Sequence, residues 1–120
     1  MEDEIRLINY DIIGSLLFIG TLFVSIILSY NDKLKLENKE SLFSDDLSKN
    51  ILIINKLIVL GIVIFFLYIN YEHYNIALAQ NKDVSNYKLQ FIPSILAIIA
   101  ALIILYLVLK NNDVIDNPEL

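Results

Sequence analysis

Two groups of residues in this chain could do chemistry. The first is Asn70, Tyr71, Glu72, His73 and Tyr74, together with Asp11, Lys88 and Gln90. If the intervening segments are helices that cross the chain back and forth, these residues gather at one end, and no other place brings several titratable types together. A metal would need more histidines or carboxylates at fixed spacing, and His73 beside Glu72 does not supply it. The expectation is a polar and aromatic belt of Asp11, Asn70, Tyr71, His73 and Tyr74, with no metal and no cofactor.

The second group is Asp11, Gly14, Thr21, Ser25 and Ser29. At about 100° per residue these fall on one side of a helix, with Phe18 close to the same line. Leu16, Ile19, Phe23 and Ile27 occupy the opposite side and suit lipid. A small and polar strip can line a water-filled path in an oligomer, with Asp11 attracting cations at its mouth. It can also be a packing face, because membrane helices use small and hydroxyl residues to approach closely. Packing is favoured, since Ser and Thr hydroxyls can bond to the carbonyls of the preceding turn. Ser94, Ala97 and Ala101 form a second small strip, against which Ser25 is expected to lie.

The elements that must position these groups are three apolar runs at about 11–30, 51–71 and 91–109. Each is close to the ~20 residues that a helix needs to cross the hydrocarbon of a bilayer. The 120 residues are 57% hydrophobic, above the ~45–50% usual in soluble domains, and the mean hydropathy is +0.62. The excess lies in the three runs, and what remains is too little for a water-soluble core. The reading is an all-α membrane protein, with three transmembrane helices in an up-down-up bundle over residues 1–110. The first and second helices extend beyond the bilayer, and 111–120 forms a disordered polar tail.

Connections of 31–50 and 82–90 follow from the polar stretches between the runs. Ser44, followed by Asp45 and Asp46, is a good helix start, with a capping hydroxyl and acids in the first turn. The second helix should break near Asn81. Pro93 is tolerable in the first turn of the third span, where its missing N–H is not needed.

There is no cysteine, so disulfides and thiol chemistry are excluded. The net charge of −5 comes without a basic patch, which argues against nucleic acid as a partner. No positive n-region or small-residue cleavage site marks a secretory signal, so the first helix should stay attached. Heavy use of isoleucine, asparagine and lysine suggests a bacterial, AT-rich source. Lys33, Lys35, Lys39, Lys49, Lys56 and Lys110 lie on one side of the spans, and Arg6, Lys82 and Lys88 on the other. The excess of positive charge places the C-terminus in the cytoplasm and the N-terminus outside the cell membrane.

No nucleotide loop, zinc-protease motif or nucleophile elbow is present. The soluble segments are too short for a catalytic domain, so the chain is not expected to be an enzyme. The function expected is helix–helix association, with the bilayer, itself or another membrane protein as partner. A holin-like or channel-like pore is the alternative, and a membrane-embedded enzyme stands third.

Overall fold

A computed structural model describes residues 1–110. The chain forms α1 (Glu2–Leu36), α2 (Asp45–Ala79), the short α3 (Ser85–Leu89) and α4 (Phe91–Lys110). It is an all-helical protein, and α1, α2 and the α3–α4 segment are each long and apolar enough to cross a membrane. The expected tail at 111–120 lies outside the described residues.

Helix ends follow local chemistry. The Ser44 hydroxyl caps α2 by accepting the Leu47 N–H at 3.2 Å, and Asp45 and Asp46 complement the dipole of the first turn. Both long helices end in a Schellman motif. At the end of α1, Asn38 N–H donates to the Lys35 carbonyl and Lys39 N–H to the Leu34 carbonyl. At the end of α2, Asn81 and Lys82 donate to the Leu78 and Ala77 carbonyls in the same pattern. Asn38 and Asn81 have φ of 58° and 57°, a left-handed conformation that asparagine tolerates better than most residues. Pro93 sits in the first turn of α4.

The first connection is shorter than the expected 31–50. α1 runs on to Leu36, because Asn31 does not break the helix, while α2 begins at Asp45, directly after the Ser44 cap as expected. The Asn31 side chain turns onto the loop instead. Oδ1 accepts the N–H groups of Leu42 (2.7 Å) and Phe43 (3.0 Å), and Nδ2 donates to Ser48 Oγ at 3.0 Å. Lys35 pairs with Asp45 across the same turn. The second connection contains α3, whose start is held by Asp83 accepting from the Ser85 N–H and hydroxyl. Those two bonds, the backbone one first, hold the Asp83 carboxyl below its usual range.

α2 is the central element and carries the main contacts to both α1 and α4. The buried positions of α1 include Leu7, Gly14, Thr21 and Leu28, and those of α2 include Ser48, Asn55, Ile62 and Ile69. Both sets repeat every seven residues, as do Ala101 and Val108 of α4. A period of ~3.5 is that of left-handed supercoiled helices packing side by side. Leu28, Leu52 and Val108 join all three long helices near the first connection, with Val24, Ile51, Ile53 and Ile104 against them. The bundle measures 62 × 25 × 17 Å. Only 11–17% of the residues in the apolar windows are buried, so an apolar exterior of a kind that water does not tolerate remains.

Candidate functional site

The small strip of α1 is a seam within the chain. Gly14 lets α2 approach: a Cβ there would stand 3.0 Å from two ring atoms of Phe66. Two turns further, the Thr21 hydroxyl donates to the Phe18 carbonyl (2.6 Å), and the Ser25 hydroxyl donates to the Thr21 carbonyl (3.1 Å). Asn55 of α2 closes the group. Its Nδ2 donates to the Thr21 carbonyl at 3.2 Å and to Ser25 Oγ at 3.3 Å. Asn55 is 3% exposed and Thr21 5%, which in an apolar surrounding makes an unpaired amide costly. Among the described residues no buried side-chain nitrogen or oxygen lacks a partner.

Ser25 therefore meets α2, and not the Ser94–Ala97–Ala101 strip of α4 as expected. The reason is chemical: Asn55 offers an amide donor that no residue of the α4 strip can supply. Ser29 is half-buried, while Phe18 and Asp11, at the edges of the strip, are exposed. The α4 strip belongs to a second seam. Asn70 Nδ2 donates to Ser94 Oγ at 2.6 Å, and the Ser94 hydroxyl donates to the Gln90 carbonyl at 3.1 Å. Ala97 is half-buried and Ala101 is buried on the same helix.

At the end of the bundle that holds the N-terminus, two grooves lie side by side. Asp11, Ile69, Asn70, His73, Tyr87 and Gln90 line an open one of 410 Å³. Glu4, Ile8, His73, Gln80, Lys82 and Tyr87 contribute to a smaller one of 180 Å³. Of the expected polar cluster, Asp11, Asn70 and His73 do come together. Tyr71 is exposed, and Tyr74 instead sets its ring edge-on to Phe91 with centroids 5.8 Å apart. Among the described residues no three His, Asp or Glu side chains are grouped so as to hold a metal.

Several residues of both sites were not singled out by the sequence reading. Asn31, Ser48 and Asn55 carry the interior polar bonds, and the seven-residue spacing from Ser48 through Asn55 to Ile62 is the signal that finds the latter two. Glu4 and Gln80, which share a hydrogen bond of 3.0 Å across the ends of α1 and α2, become visible only once α1 is known to start at Glu2. Tyr87 enters through α3, which the polar composition of its segment conceals. Comparison with models of known protein families, with curated proteins and with solved structures found no match to this chain.

Proposed function

We propose that this multi-pass membrane protein works through helix–helix association, as a homo-oligomer or as an accessory subunit of a larger membrane complex. The observation that carries this reading is the closure of the polar seam. Thr21, Ser25 and Asn55 spend their hydrogen bonds on one another and on the backbone. What faces outward from the spans is apolar, including Leu16 and Phe23 on α1 and Ile103 on α4. Apolar helix faces are surfaces that either lipid or another span can cover. The loop at 37–44 and the connection at 80–90 are too short to form a catalytic domain.

A holin-like pore would need the strip to face water, and the polar atoms of Thr21 and Ser25 are already engaged inside the chain. Lys33, Lys35, Lys39 and Lys49 lie near the first connection, together with Lys110 at the end of α4. This lysine excess supports a cytoplasmic placement of that end, with the N-terminus on the outer side of the cell membrane.

Association is tested by placing a photoreactive amino acid at Leu16, Phe23 or Ile103, one at a time, in cells that make the full chain. The expected result is a protein adduct of defined size from at least one face and not from all three. Labelling of lipid alone from every face would contradict the reading.

A further inference from the structure

The open groove at the N-terminal end of the bundle is rich in acceptors. Asp11 brings a carboxylate that forms no ion pair or hydrogen bond with any described residue. The nearest basic side chain along α1, Arg6, is paired with Asp3 at 3.5 Å. Asn70 commits its Nδ2 to Ser94, which leaves its Oδ1 as the free polar atom. The side chains of His73, Tyr87 and Gln90 complete the polar wall, and the Tyr87 ring offers a π-face to a cation. Lys82 and Glu4 belong to the neighbouring groove. Asp11 also marks the boundary of the apolar run of α1, which is the depth of lipid headgroups.

We propose that this groove binds a primary ammonium group, with Asp11 as its counter-ion and Asn70 and Gln90 as neutral acceptors. Three N–H donors on one nitrogen match such a set of acceptors, and charge-assisted bonds to a carboxylate are the strong ones. A trimethylammonium group has the same charge and no N–H, so it leaves the acceptors unpaired. The groove therefore distinguishes the two. The ammonium can come from an aminophospholipid headgroup or from a soluble amine. Binding there requires no partner chain and stands independently of association.

The full chain, purified in a maltoside detergent, is equilibrated with equal amounts of phosphatidylethanolamine and phosphatidylcholine that have the same acyl chains. Retained lipid is read by native mass spectrometry, and ethanolamine is titrated against choline in parallel. In at least one arm the primary amine should be retained about tenfold better than its methylated counterpart. Discrimination in the lipid arm alone assigns a membrane lipid, and discrimination in the soluble arm assigns a soluble amine. Asp11→Asn should erase it without changing thermal stability, because the Asp11 side chain bonds to none of the described residues. Gln90→Leu, the second variant, should reduce it. Equal retention in both arms would overturn the proposal, as would a preference that survives undiminished in both variants.

Discussion

Asn55 decides the chemistry of the interior at the scale of the residue. Its amide reaches the Thr21 carbonyl and Ser25 Oγ, and interhelical bonds of this kind average only ~0.6 kcal/mol each in membranes, with a maximum near 1.7. Asn55→Ala should therefore lower stability by about 1–2 kcal/mol, read as the shift in a denaturing-detergent titration of the purified chain. Ser25→Ala removes one weak partner and should cost less than half of that. Ser25→Leu should be worse than either, since overpacking a tight seam costs about 1–3 kcal/mol. Asn31 is the second case. Asn31→Ala leaves the Leu42 and Phe43 N–H groups without their acceptor, and a cost of about 2–3 kcal/mol follows. Accelerated proteolysis in the 37–44 loop is the readout. An Asn31→Ala chain as resistant as the native one would show that the loop is held by something else.

Gly14 and Gly61 separate packing from propensity at the scale of the element. A Cβ at Gly14 meets the Phe66 ring, whereas one at Gly61 meets nothing within 4 Å. Gly14→Leu should force α1 and α2 apart and promote thermal aggregation in detergent, and Gly61→Ala should be tolerated. At the helix ends, Asn38→Gly should be neutral or better. Asn38→Val should cost about 1–2 kcal/mol, the penalty for a bulky residue in the left-handed region. Thermal aggregation midpoints of the four variants order these claims.

The elements were largely legible in the sequence, because three apolar runs and the Ser44–Asp45–Asp46 start depend on local chemistry alone. The partner of the α1 strip was not. Small residues on one face say that something lies close, but only the amide of Asn55 selects α2 over α4. The polar groove was half legible. Asp11, Asn70 and His73 follow from the span ends, while Tyr87 depends on the unforeseen turn of α3.

At the scale of the whole molecule, α2 carries the main contacts to both α1 and α4, and the two seams meet only near the first connection, in the Leu28–Leu52–Val108 cluster. Ser25→Leu and Ala101→Leu then disturb different contacts, and their effects should add, as they do for sites without shared partners. The orientation is open to a direct check because the chain has no native cysteine. Glu40→Cys and Asn86→Cys both lie in exposed positions at opposite ends. An impermeant thiol reagent applied to intact cells should label Asn86→Cys only, and the reverse pattern would invert the topology.

The central claim is that the polar strip of α1 is closed against α2 within one chain. Thiol cross-linking in native membranes with a short bifunctional reagent tests it most directly. Ser25→Cys combined with Asn55→Cys should cross-link within a single chain, whereas Ser25→Cys combined with Ala101→Cys should not. Ser25→Cys alone should give no dimer. A dimer joined through that single cysteine, or an efficient Ser25–Ala101 link in place of the Ser25–Asn55 one, would contradict the account.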